Sequence, residues 1–285
     1  MDWDAPAIVL DARAYGEGDA IGCVMTEAHG LHRGLARGGA SRSGAATWQA
    51  GNLVQARWVA RLPDQLGSFS AELVHPAAAL AMDDPLALAM LSAACAVAEG
   101  ALPERQPHPR VFDGLLQFIA RLALGPGMLV ELVRWETVLL AELGYGLDLS
   151  ACAVSGETAG LAYVSPRTGR AVTAAAAGAW TGRLLRLPGF LVGSSISVVA
   201  DWRDGLTLTG HFLARDAFGH HHRPLPAARR MLYDRVAALA GESVTSAAET
   251  PEPPTHVVVE PSTGEPTVGV PRSRRPCLGA PESET

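Results

Sequence analysis

Between Ala28 and Pro63 the chain carries Arg33, Arg37, Arg42, Arg57 and Arg61, together with His29 and His32, and no acidic residue. It has no lysine anywhere, so all 23 Lys/Arg positions are arginine. Guanidinium is planar, always charged, pairs with phosphate through parallel N–H donors and stacks on rings. A cluster of such groups without carboxylates is suited to neutralising a nucleic-acid backbone and releasing its counterions. The net charge of -6 requires that any such binding come from a local patch.

Other residue types suggest weaker chemistry. His220, His221 and His222, with His211 and Asp216, could be read as metal ligands. Neighbouring histidines cannot all point at one ion, and no cysteine is near, so an exposed polar loop without metal is expected. Arg134 sits off an apolar helical stripe, with Val138 one turn on. A cation beside an apolar dent suits a peptide tail ending in a carboxylate. Glu136 lies on the stripe itself and is expected to be a buried structural partner.

Enzyme signatures are missing. A P-loop needs a lysine after its glycines, and Schiff-base chemistry needs one too. There is no HExxH or GxSxG, and Gly16-Glu17-Gly18 lacks the third glycine of a dinucleotide fingerprint. No catalytic residue and no cofactor are expected. Cys23, Cys95, Cys152 and Cys277 show no CxxC and no disulfide framework, which fits a reducing cytosol. The acidic start, Met1-Asp2-Trp3-Asp4, is unlike a signal peptide, and no apolar run reaches the roughly 18 residues of a membrane span.

The elements that must hold these residues fall into two kinds, giving an α+β expectation. From residue 7 to about 76, five short alternating runs separated by Gly-rich turns predict a small closed barrel. They are Ala7–Arg13, Ala20–Thr26, Gly30–Arg37, Asn52–Leu62 and Leu66–Val74. In the fourth, Val54, Ala56, Trp58 and Ala60 share the core face, while Gln55, Arg57, Val59 and Arg61 share the outer one. The Gly/Ser stretch from Arg37 to Gly44 reads as a flexible basic loop. Tyr15, in the first turn, is expected to pack rather than to stack on a base.

Helical spacing begins after His75-Pro76. Asp84 with Pro85 predicts a helix start, and further helices are expected at about 111–124 and over the stripe Leu129–Leu143. Residues 152–172 read as a small ribbon. Ala174–Leu187, Pro188–Ala200, Leu206–Arg215 and Pro226–Leu239 read as helical, the last with Met231, Leu232, Val236 and Leu239 inward. After Gly241 the chain is rich in Pro, Thr, Ser and Glu and is expected to be disordered.

Three ordered segments resemble the RecO family of bacterial recombination mediators. The first runs from Ile8-Val9-Leu10 through Tyr15-Gly16-Glu17-Gly18-Asp19 to Thr26-Glu27-Ala28-His29-Gly30. The second is Leu35-Ala36-Arg37-Gly38 with Gly51-Asn52-Leu53-Val54. The third is Arg134-Trp135-Glu136, then Leu139 to Leu149, then Cys152. The similarity continues through Tyr163-Val164-Ser165-Pro166 and Arg223-Pro224-Leu225-Pro226.

The resemblance implies an OB-fold DNA-binding domain over 1–78, a helical domain over 79–241 with a zinc-finger-like insertion near 150–173, and the tail 242–285. It implies binding of single- and double-stranded DNA and strand annealing. The implied partners are RecR, RecF and the C-terminal tail of single-stranded DNA-binding protein, in helping to load RecA, with a cytoplasmic, nucleoid-associated location. The chain departs from the family pattern at the insertion. Only Cys152 remains of its four cysteines, Ser155 replaces the partner of Cys152, and the later pair near Gly169 and Val172 is missing. Zinc is therefore not expected there. An OB-fold RNA-binding module and a protein-only scaffold remain the alternatives.

Overall fold

The computed structural model describes residues 1–62 and 65–241. The expected tail from 242, with Cys277, lies outside the described residues. Five strands form the N-terminal part: β1 (Asp2–Tyr15), β2 (Asp19–Thr26), β3 (Gly30–Ala36), β4 (Leu53–Val59) and β5 (Gly67–His75). They close into a barrel in the order β1-β2-β3-β5-β4, with β3 and β5 parallel and the other pairs antiparallel. This is the expected OB-fold barrel within an α+β molecule.

Period-2 alternation fixes the two sides of the wall. Ala7, Val9, Val24, Ala36, Val54, Ala56, Trp58 and Phe69 fill the interior. A Cβ on Gly34 would come within 2.8 Å of the Phe69 ring, so glycine there lets the ring lie flat against β3.

The first strand is longer than the alternation suggests. Its start, Asp2 to Ile8, pairs with β4, whereas β2 pairs with it only from Ala7 onward. Pro6 therefore stands where one side of the strand has no neighbour, the position in which proline costs least.

Eight helices are described. The longer ones are α3 (Pro85–Ala101), α4 (Pro109–Arg121), α5 (Met128–Glu142), α7 (Val199–Phe212) and α8 (Ala227–Leu239). The short ones are α1 (Gly44–Thr47), α2 (Ala77–Ala81) and α6 (Ala174–Ala177). Helix α3 starts as its sequence predicts. Asp84 accepts from the backbone N–H groups of Leu86 (2.8 Å) and Ala87 (3.2 Å), and Pro85 is the first helical residue.

The outer faces of β1, β2 and β3 do not meet water. Ile8, Leu10, Cys23, Met25 and Leu31 belong to the same core as Met90, Leu91, Ala94 and the other helical residues. Barrel and helices form one compact unit.

Several expected elements differ. The stretch Ala174–Leu187 is not one helix. It is the four-residue α6, a 3-10 turn Gly178–Arg183 and a short strand β8 (Leu185–Arg186). Pro188–Ala200 is mostly irregular and only its end enters α7. Gly178, Gly182, Pro188, Gly189 and Gly193 interrupt any helix there. The expected Leu206–Arg215 helix begins earlier, at Val199, and continues as a π-turn over Leu213–Phe218. In α8, Leu232 and Val236 are buried, whereas Met231 and Leu239 are exposed.

The expected ribbon is present. Strands β6 (Leu161–Val164), β7 (Ala171–Thr173) and β8 make a three-stranded sheet in the order β7-β6-β8.

Glu136 is fully buried and structural, as expected. Arg229 of α8 donates to it from Nε (2.5 Å) and Nη2 (3.0 Å). The same Nη2 reaches the Leu206 carbonyl (2.9 Å) and the Thr209 hydroxyl (3.2 Å), so α5, α7 and α8 meet at one satisfied ion pair.

Candidate nucleic-acid interface

Because helices cover β1 to β3, the barrel's free wall is the outer face of β4 and β5. On β4 it carries Gln55, Arg57 and Val59, all exposed, with Val54, Ala56 and Trp58 turned inward. Ser70 of β5 stands opposite Arg57, and Ser68 opposite Val59. The β3–β4 connection folds over this wall. Between them lies an open groove of about 690 Å³, lined by Arg37, Thr47, Arg57, Ser68 and Ser70, with Trp48 and Phe69 at its floor.

The connection is not a loose loop. Its Gly38 N–H donates to the Asp19 carboxylate (2.7 Å), and Ala40 N–H to the Gly18 carbonyl (2.9 Å). Ser41 Oγ donates to the Gly38 carbonyl (2.6 Å) and accepts from Gly44 N–H (3.1 Å). The segment then enters α1. A formed, tethered turn thus presents Arg37 and Arg42, in place of the expected flexible loop.

The five arginines do not act as one set. Arg37 and Arg57 line the groove. Arg42 is exposed on the turn, and Arg61 is exposed two residues beyond β4. Arg37, Arg42 and Arg61 have no ion pair among the described residues. Arg57 lies 3.7 Å from the Asp2 carboxylate, and Asp4 is its cross-strand neighbour.

Arg33 departs from the expectation. It faces the helices, where its guanidinium bonds both Glu99 of α3 and Glu104 just beyond it. The absence of acids in residues 28–63 did not show this, because both carboxylates come from about seventy residues further along the chain.

His32 is turned into the barrel end, edge-on to Trp58 (5.1 Å) and Trp3 (5.2 Å). Burial, then the charge of Arg105, then His29, push its imidazole down to about 4. His29 stacks on Trp3 at 5.0 Å. Trp58 is core, as its inward register predicts. Tyr15 is 57% exposed at the β1–β2 turn, so it does not pack as expected.

On the helical side, Arg134 and Val138 line a small cleft of about 160 Å³ with Phe118, Arg121, Met128 and Trp135. Arg134 is held in place by Glu131 (2.7 Å) and the Phe190 carbonyl (3.0 Å). Arg121, at the end of α4, has no ion pair among the described residues. It is a second cation at this cleft, and it was missed because it lies on a different helix from Arg134.

The donor set at the insertion does not fit a zinc ion. Cys152 Sγ accepts from Ser155 N–H (3.4 Å), Thr173 N–H (3.3 Å) and Thr173 Oγ1 (3.7 Å). These bonds, those of Ser155 first, hold its thiol down to about 6. The Ser155 hydroxyl turns to Glu157 (2.9 Å).

The histidine group is dispersed. His220 stacks on Tyr145 (5.5 Å), His211 bonds the Pro166 carbonyl (3.0 Å), and Asp216 is held by Arg215 at 2.7 Å. No metal-binding group of three ligands occurs among the described residues. No helix among them is long and apolar enough to cross a membrane.

Comparison with known proteins agrees with this architecture. The family model described as Recombination protein O N terminal matches residues 1–77, and that described as Recombination protein O C terminal matches residues 82–224. The chain is 61% identical over 242 residues to a protein of Granulibacter bethesdensis, covering 84% of this chain and 97% of that one. It is 61% identical over 245 residues to one of Gluconacetobacter diazotrophicus, covering 84% and 96%. It is 60% identical over 240 residues to one of Acidiphilium cryptum, covering 83% and 96%. All three relatives bear the name DNA repair protein RecO. With both family models spanning barrel and helices, and such identity over most of its length, the chain belongs to the RecO family of DNA repair proteins.

Proposed function

We propose that the chain is a non-catalytic recombination mediator that binds single- and double-stranded DNA and anneals complementary strands. With RecR and RecF it helps load RecA onto DNA coated with single-stranded DNA-binding protein. The observation that carries this reading is the groove beside β4 and β5. Arg37 and Arg57 line it, serine hydroxyls border it, and the unpaired Arg42 and Arg61 flank the same wall. Guanidinium groups there neutralise the backbone, and no covalent step is needed for annealing. The cleft with Arg121, Arg134, Phe118 and Trp135 offers two cations beside an apolar surface. It suits the carboxylate-ended tail of single-stranded DNA-binding protein.

The test is a salt titration of oligonucleotide binding by the full chain, together with annealing of coated complementary strands. Replacing Arg37, Arg42, Arg57 and Arg61 by Ala should weaken binding across all sequences. It should also reduce the steepness of log affinity against log salt by about 3 for a single strand, at ~0.7 per lost contact. Arg33→Ala should leave that slope unchanged, because its charge is already spent on Glu99 and Glu104. A folded quadruple variant with parental affinity and slope would sink the proposal.

Asp2 and Asp4 beside Arg57 favour a second reading, in which this wall grips a protein. Under that reading the parental chain shows no steep salt dependence toward DNA.

A further inference from the structure

Residues 158–200 contain Arg167, Arg170, Arg183 and Arg186 and no acidic residue. They form the β7-β6-β8 sheet and the 3-10 turn before β8. Arg170 is paired with Asp148 at 3.3 Å, while Arg167, Arg183 and Arg186 have no ion pair among the described residues.

The turn holds Trp180 out into water. Its side chain is 62% exposed, the one tryptophan among the exposed large apolar residues described. The Arg183 guanidinium lies over the indole, 5.3 Å from the ring centroid. The turn is closed by Thr181 Oγ1 donating to the Gly178 carbonyl (2.7 Å) and Leu184 N–H to the Thr181 carbonyl (3.3 Å). Ala177 and Leu184, on either side, pack around Cys152 and Val172. The tryptophan is therefore displayed from an anchored turn.

The sheet next to the turn has a defined outer face. Val164, Leu185 and Leu187 join the main core, and Arg186 stands opposite Tyr163 on the other side. Unpaired guanidinium groups around an exposed indole match a ligand that alternates negative charge with flat rings. Bases in a duplex are already stacked, so a free indole face selects unstacked nucleotides.

We propose that this face of the insertion is a second contact surface for single-stranded DNA, in which a base stacks on Trp180 while Arg183 and Arg186 take the adjoining phosphates. It rests on the reading of the chain as a DNA-handling protein, and it is separate from the barrel groove. Two such surfaces on one molecule would let it hold two strands at once.

The test uses the full chain and oligothymidylate carrying 5-iododeoxyuridine, which on irradiation bonds to a stacked aromatic ring. The expected adduct maps to Trp180. Trp180→Ala should weaken binding about tenfold, and Trp180→Phe should retain most of the affinity. Arg183→Ala with Arg186→Ala should reduce the salt slope by about 1.4. These side chains are exposed, so the variants should fold as the parent does.

The barrel variants are measured in parallel. If they lose affinity while Trp180 gives no adduct and Trp180→Ala binds within twofold of the parent, the second surface is refuted and the groove stands. If Trp180 crosslinks and its loss weakens binding while the barrel variants bind normally, the groove is wrong and this surface stands. An adduct without any loss of affinity in Trp180→Ala also counts against the proposal, since a ring that stacks must contribute to binding.

Discussion

His32 illustrates how a ring buried among rings responds to acid. Its imidazole is held at about 4, below the ordinary 6.5, chiefly by burial and then by Arg105 and His29. Between those two values the unfolded chain takes up a proton that the folded chain refuses. Stability from this residue is full above pH 6.5 and falls as pH descends toward 4, by up to about 1.4 kcal/mol per pH unit. His32→Gln should therefore lose less stability than the parent between pH 7.5 and pH 4.5, as read by urea denaturation at both values. Equal losses would mean that His32 is not the group responsible. The inward position of His32 follows from the alternation of β3, but its rings do not. Trp3 and Trp58 come from strands that only the barrel closure brings together. The same limit applies to Arg33. Alternation puts it outside the barrel, and only the packing of α3 turns that outside into an interface.

Among the elements, helices α5, α7 and α8 are pinned by the buried Glu136–Arg229 pair. Removing one partner leaves the other charged and without compensation. Arg229→Ala should cost about 3–5 kcal/mol, whereas Arg229→Met with Glu136→Leu should cost far less. Thermal or urea unfolding separates the two, and equal losses would refute the assignment. The capped start of α3 was legible because Asp84 and Pro85 are local signals, and the apolar spacing of α5 was equally plain. The Ala-rich run after Thr173 misled, since alanine favours helix only weakly and a short segment cannot nucleate alone. Glycines and tertiary pairing made it a turn and a strand instead. The start of β1 was hidden for the opposite reason: Asp2, Asp4 and Pro6 look like a loop, and their strand is made by β4, about fifty residues on.

The molecule as a whole has no independent barrel. Ile8, Leu10, Met25 and Leu31 cover the helices as much as the helices cover them. A fragment of residues 1–78 would expose all four, each worth about 1.5–3 kcal/mol when buried. Such a fragment should bind a hydrophobic dye or aggregate, and a monodisperse, dye-free fragment would contradict the shared core. The sequence divides at His75-Pro76 in its periodicity, and the two family models divide near the same place. Periodicity reports how each segment folds and is silent on which faces then meet.

The chain leaving α3 adds one more contact to that union. Glu104 bridges Leu31 in parallel, Arg105 N–H donates to the Leu31 carbonyl (2.8 Å), and Gly30, at φ +69°, has the Gln106 backbone where a Cβ would stand. The connector is thus stitched to the rim of β3 as a short sixth stave. A partner that grips the helices must then turn the groove with them, as a handle turns a blade. How a DNA strand is presented would be set by whatever holds the far end, without any joint having to bend.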